Sequence, residues 1–235
     1  MRTLAIVPVK SFDSAKQRLA GALARGARES LAQAMFADVL GALRHARRVE
    51  AIAVVTAEPA AESLAGQDAI VLPDDRNAGQ SDAAEIGIRY AVASRFDRVV
   101  LIPGDTPLLE PTELDDLLDR TAADGIAVAI VADRHGTGTN ALVLRPPDAL
   151  APGFGENSLA RHVARAEQAD LKHRLEDAPS LAHDVDTPDD LVALSRSLDG
   201  GRGGAQCTRG ALRQLERSGA LDGAAFRTAG GAARE

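Results

Sequence analysis

With 235 residues, 45% hydrophobic and 26% charged, the chain has the length and composition of one well-buried α/β domain and lies outside the disordered and collagen-like classes. Its formal net charge of -7 argues against a general attraction to nucleic acid or to anionic membrane surfaces. A single cysteine, Cys207, excludes an internal disulfide framework and fits a cytoplasmic setting.

Residues 3–9 form a short apolar run bounded by Pro8 and a polar loop, which predicts a buried strand. The run stops at Lys10, too short for a membrane span or a signal-peptide core, and no other stretch approaches spanning length. The loop that follows holds two of the three lysines in the chain, Lys10 and Lys16, together with Arg18. Lysine is a compact charge on a mobile stem, suited to following a phosphate through a reaction. Three cations at the carboxyl end of a first strand can therefore meet a nucleoside triphosphate, although the loop lacks the glycines of a P-loop or of a dinucleotide fingerprint. In residues 27–46, Leu31, Met35, Phe36, Val39, Leu40 and Leu43 recur at helical spacing. A strand over 51–55, a short helix over 59–65, a strand over 69–72, a helix over 82–94 and a strand over 98–102 continue the alternation.

Gly104-Asp105-Thr106-Pro107 follows that last strand, and a carboxylate at a strand's carboxyl end can present itself to a metal over the sheet edge. Magnesium suits the position, because it bridges phosphate oxygens while needing only one or two protein carboxylates. A helix over 111–122 comes next, with proline in its favoured first turn. Two apolar runs, 126–131 and 141–144, flank the turn Gly136-Thr137-Gly138-Thr139-Asn140 and are expected to add mixed strands at one side of the sheet. This turn and Phe154-Gly155-Glu156-Asn157-Ser158, just before a helix over 157–169, both leave backbone N–H groups able to hold an acceptor phosphate or carboxylate. In His183-Asp184-Val185-Asp186-Thr187-Pro188 an extended backbone puts Asp184 and Asp186 on one side, and either could complete a metal site. Thr187 is the expected N-cap of a helix over 188–198. From 199 to 235 the composition turns to Gly, Ala and Arg, which predicts a flexible tail with one weak helical stretch near 212–221. The domain is thus expected over residues 1–198, with a mostly parallel, doubly wound sheet and its ligands at the carboxyl ends of the strands.

In this order, the segments resemble the guanylyltransferases of coenzyme F-420 biosynthesis, which act on phosphoenolpyruvate or 2-phospho-L-lactate. The likeness covers residues 2–198 and rests on Val-Pro-Val-Lys with Ala15-Lys16-Gln17-Arg18-Leu19, on Gly104-Asp105, on Gly136-Thr137-Gly138-Thr139, on Phe154-Gly155 with Ser158, and on Asp184-Val185-Asp186-Thr187-Pro188. It implies a Rossmann-like nucleotidyltransferase fold, with GTP, magnesium and a small phosphorylated carboxylic acid as reactants. Pro8, Val9, Lys10, Lys16 and Arg18 then fall on the nucleotide side, with Lys10, Lys16 and Arg18 as the catalytic cations. Asp105 and Asp186 hold the metal, and Thr139, Gly155 and Ser158 hold the acceptor. Where the family carries a Leu-Asn pair this chain reads Gln80-Ser81-Asp82-Ala83-Ala84, and Asp82 is assigned to the nucleotide. The expected reaction is GMP transfer from GTP to phosphoenolpyruvate; 2-phospho-L-lactate, 3-phosphoglycerate, a molybdopterin or sugar phosphate, and an idle nucleotide-binding protein are the alternatives. A homodimer is left open.

Overall fold

The computed structural model describes residues 1–13, 15–200 and 204–220. Strand β1 (Thr3–Val9) is buried at every position but Pro8, as befits a strand covered on both faces. It pairs in parallel with β2 (Ala51–Thr56) on one side and β4 (Arg98–Leu101) on the other, and β2 pairs in parallel with β3 (Ile70–Pro73). Beyond β4 the direction changes: β6 (Thr139–Leu144) runs antiparallel to both β4 and β5 (Val128–Ala132), and β7 (His173–Glu176) lies parallel to β5 at the edge. The seven-stranded order is β3-β2-β1-β4-β6-β5-β7, an α/β sheet as expected, with the mixed strands on one side.

The twofold period of β1 sorts the core. Ala5, Val7 and Val9 point into the larger cluster, with Leu31, Met35, Phe36, Val39 and Leu40 of α1 (Arg25–His45). Leu4 and Ile6 point into the other, with Ala83, Ala84, Ile88 and Ala91 of α3 (Gln80–Ala93). Helix α3 lies so close to β1 that a Cβ on Gly87 would stand 2.5 Å from Ile6 Cγ2, which requires glycine there. Helices α2 (Pro59–Ala65) and α4 (Pro111–Ala123) contribute Ala61 and Leu114, Leu117 and Leu118 to the α1 side, whereas α5 (Ser158–Gln168) contributes Ala166 to the α3 side. Helix α6 (Pro188–Asp199) opens on a capping box in which Thr187 and Asp190 satisfy each other's backbone N–H, so the N-cap expected at Thr187 is observed.

Part of the expected tail is corrected. Residues 206–217 form α7 (Gln206–Arg217), and its Leu212 and Leu215 are buried in the same cluster as α1. Asp38 of α1 accepts the N–H groups of Cys207 and Thr208 at 3.0 and 2.7 Å, capping the incoming helix from another element. The rest of the tail, 201–203 and 221–235, lies outside the described residues.

Register places the site. Leu101, last in β4, pairs with Leu142, and Ala132, last in β5, pairs with Thr139. The amino end of β6 and the β5–β6 turn therefore stand at the same rim as the carboxyl ends of β1 and β4.

Candidate active site

A cleft of about 780 Å³ opens at that rim, within the roughly 300–1,000 Å³ typical of small-ligand sites. One wall is the loop after β1: Pro8, Val9, Lys10, Lys16 and Arg18 all line it. Lys16 has a left-handed backbone, φ 57°, uncommon for a residue other than glycine. Its ammonium donates to Asp105 Oδ2 and, at 2.9 Å, to Asp186 Oδ1, and the side chain is only 6% exposed. Burial alone would depress this lysine, but the charges of Asp105 and Asp186 outweigh it and hold Lys16 above the usual lysine range, fully protonated. Arg18 stands 3.8 Å from Asp186 and is mostly solvated, and Lys10 is exposed.

The floor is acidic. Asp105, Asp184 and Asp186 line the same cleft. Burial, then the charge of Asp105, push Asp184 up to about 6, and the hydrogen bond it accepts from Asn140 Nδ2 at 3.1 Å offsets only part of this. Asp105 Oδ1 is buried and has no hydrogen-bond partner, an orphaned anionic oxygen beside a second carboxylate. That combination fits a hard cation completed by phosphate oxygens rather than a protein cage. Among the described residues, no group of three or more His, Cys, Asp or Glu side chains has the geometry of such a cage. Asp190 steadies this floor by accepting from the backbone N–H of Asp186 and by pairing with Arg134 of the β5–β6 turn.

The facing wall is built from the two turns singled out in the sequence. In the first, Asp133 Oδ1 accepts the N–H of Thr137 at 2.9 Å, and a Cβ on Gly138 would meet Asp133 Oδ2 at 2.7 Å, so a larger residue there would have to displace the Asp133 carboxylate. In the second, Gly155 takes φ 107°, a conformation that favours glycine. Leu159 N–H donates to Thr137 O at 3.2 Å and Thr139 N–H to Ser158 Oγ at 2.9 Å, so the two turns form one surface presenting Thr139, Gly155 and Ser158. His162, buried one helical turn beyond Ser158, joins them: its Nδ1 lies 2.9 Å from Thr139 Oγ1, and its Nε2 accepts Gly153 N–H at 2.8 Å.

Of the residues assigned from sequence, Asp82 does not line the cleft. It sits in the first turn of α3, and Gln80 lines the cleft instead. The neighbouring Ser81 accepts Phe154 N–H at 2.9 Å, tying the start of α3 to the second of these turns. Sequence reasoning missed His162 and Asp190, and it carried Asn140 only as the last residue of a glycine-rich turn. The signal for His162 was its spacing, four residues after Ser158 on one helical face.

The architecture is shared with solved proteins. A crystal structure from Desulfovibrio desulfuricans G20, carrying the name of a nucleotide-diphospho-sugar transferase, superposes with a TM-score of 0.74 at 18% identity over 97% of this chain and 98% of that one. Fold and cleft together define a Rossmann-like α/β protein with its site at the rim formed by the carboxyl ends of the parallel strands. At the level of sequence, the family described as "Guanylyl transferase CofC like" matches residues 3–215. A phosphoenolpyruvate guanylyltransferase of Conexibacter woesei is 50% identical over 93% of this chain and 98% of its own length. A 2-phospho-L-lactate guanylyltransferase of Methanothermobacter thermautotrophicus is 35% identical over 81% of this chain and 83% of its own. The chain belongs to the CofC-like guanylyl transferase family.

Proposed function

We propose that this guanylyltransferase moves GMP from GTP to phosphoenolpyruvate in the cytoplasm, releasing diphosphate, as a step in making coenzyme F-420. The observation that carries the reading is the cleft itself, with Lys16 between Asp105 and Asp186 on one wall and the Thr139–Ser158 surface on the other. The identity to the Conexibacter protein supports phosphoenolpyruvate as acceptor, and the Methanothermobacter relative keeps 2-phospho-L-lactate as the second reading.

An acceptor phosphate oxygen attacks the α-phosphorus of GTP; the new P–O bond forms as the bond to the bridging β-phosphate oxygen breaks, and the electron pair leaves on diphosphate. The acceptor phosphate is already ionised at neutral pH, so no protein base is needed. Lys10, Lys16 and Arg18 meet the triphosphate and neutralise charge as it shifts toward the leaving group. Pro8 and Val9 border the nucleotide, and Thr139, Gly155 and Ser158 hold the acceptor. Asp105, with its orphaned oxygen, and Asp186 would hold a magnesium ion, whose chemistry is to neutralise phosphate oxygens.

The test is mass spectrometry of products formed from GTP, magnesium and each of phosphoenolpyruvate, 2-phospho-L-lactate and 3-phosphoglycerate. A guanylylated phosphoenolpyruvate formed with the highest kcat/KM supports the reading; preference for another acid, or no diphosphate release, overturns it.

A further inference from the structure

Gly153 is linked to His162 by a backbone N–H, which can only donate. His162 Nε2 must therefore be an unprotonated acceptor, and a neutral ring then carries its proton on Nδ1. That proton points at Thr139 Oγ1, 2.9 Å away. The threonine oxygen thus receives a hydrogen bond from behind, and its own O–H is turned elsewhere. Ser158 is polarised likewise, because its Oγ receives the Thr139 backbone N–H at 2.9 Å. Both residues line the cleft, so two hydroxyls fixed as acceptors toward the protein become donors toward the ligand.

We propose that His162 is a positioning residue: by donating Nδ1–H to Thr139 it commits the Thr139 hydroxyl, alongside that of Ser158, to donate to an anionic oxygen of the acceptor. His162 itself is fully buried at 0% exposure and does not line the cleft. Its surroundings favour the neutral ring this role needs. Burial, then the guanidiniums of Arg165 and Arg161, lower it to about 4, and Phe154 packs edge-on at 5.3 Å between centroids. An uncharged ring has one donor and one acceptor, and both are spent on named partners.

The inference rests on reading the Thr139 surface as the acceptor's, and two substitutions separate the roles of the two nitrogens. His162→Gln keeps an amide group near Nε2 for Gly153 but removes the donor to Thr139; His162→Asn keeps a donor near Nδ1 but abandons Gly153. His162→Gln should raise the acceptor KM about tenfold or more with the GTP KM unchanged, as expected for a misdirected hydrogen bond to a charged group. His162→Asn should stay within about threefold of wild type while melting at a lower temperature. In a Thr139→Val background His162→Gln should add nothing further. Equal acceptor KM values for the Gln and Asn variants, or additive effects in the double variant, would overturn the proposal. So would nitrogen-15 NMR of the wild-type ring showing the proton on Nε2, a readout independent of turnover. A Nδ1–H ring in a protein that guanylylates none of the three acids would leave the His162 polarity standing and sink the substrate reading alone.

Discussion

Lys16 and Asp186 are 170 residues apart in sequence and meet at 2.9 Å, so the loop after the first strand is held to the segment before α6 by one charge-assisted hydrogen bond. Lys16 is thus the counterion of the acidic floor and, in the proposed reaction, a cation that meets the phosphates. Lys16→Ala should lower turnover at saturating GTP by about a hundredfold or more, a loss of several kcal/mol of transition-state stabilisation. Because Asp105, Asp184 and Asp186 would be left without their shared cation, unfolding in the absence of divalent metal should also become easier by about 1–3 kcal/mol. Unchanged turnover and GTP affinity would reject both roles.

Asp105→Asn separates a metal ligand from a turn residue. Asparagine keeps the size and most hydrogen bonds of the side chain but removes the charge from the orphaned Oδ1. Turnover should fall about a hundredfold or more and require higher magnesium, while metal-free thermal stability changes by about 1 kcal/mol or less. Normal turnover with normal magnesium dependence would leave Asp184 or Asp186 as the ligand.

Removing residues 202–235 should destabilise the protein, because α7 buries Leu212 and Leu215 against α1. At about 1.5–3 kcal/mol for each leucine, the loss is roughly 3–6 kcal/mol, read as a lower denaturation midpoint. Asp38→Ala in the full chain should cost about 1 kcal/mol by removing the cap on Cys207 and Thr208. A truncated chain as stable as the full one would show that this contact contributes nothing.

His162 gives stability a pH dependence whose sign follows from its lowered folded-state value of about 4 against 6.5 for the free side chain. Between these values the unfolded chain binds the proton and the folded one does not, so wild type loses stability as pH falls from 6.5 toward 4. Above 6.5 the group contributes no slope. His162→Asn cannot titrate there and should show a shallower decline across that window. Parallel curves for the two proteins, followed by urea unfolding at stepped pH, would contradict the buried neutral ring.

The parallel half of the sheet was legible because β1 and β4 carry the unbroken apolar stretches 4–9 and 99–102 and the buried residues of α1 recur at helical spacing. Strand β7 was not: its four residues, His173 to Glu176, are mostly polar, lie at an edge and leave Leu175 exposed, so no alternation marks them. The reversed direction of β6 is a pairing property that no local pattern carries. Helix α7 was seen only as a weak helical stretch because two leucines among arginines and glutamines make a narrow stripe, and its cap comes from Asp38 on another helix. In the site, scarce lysines and a carboxylate after a buried strand pointed to Lys16 and Asp105. The His162–Thr139 and Arg134–Asp190 contacts exist only once distant turns have met, so the sequence offers only the helical spacing of His162 from Ser158 and the capping-box spacing of Thr187 and Asp190 as local signs.

Because β6 runs against both β4 and β5, the wall of the cleft that carries Thr139 begins as a hairpin turn, and such a turn can change length while the strands carrying it keep their pairing. The loop after β1 has no comparable freedom, since it is pinned at Lys16 to two carboxylates from remote parts of the chain. If the proposed reading holds, insertions and replacements in residues 133–138 are therefore the open route by which a lineage would adopt a different small acid, with the Lys16 side of the cleft inherited intact.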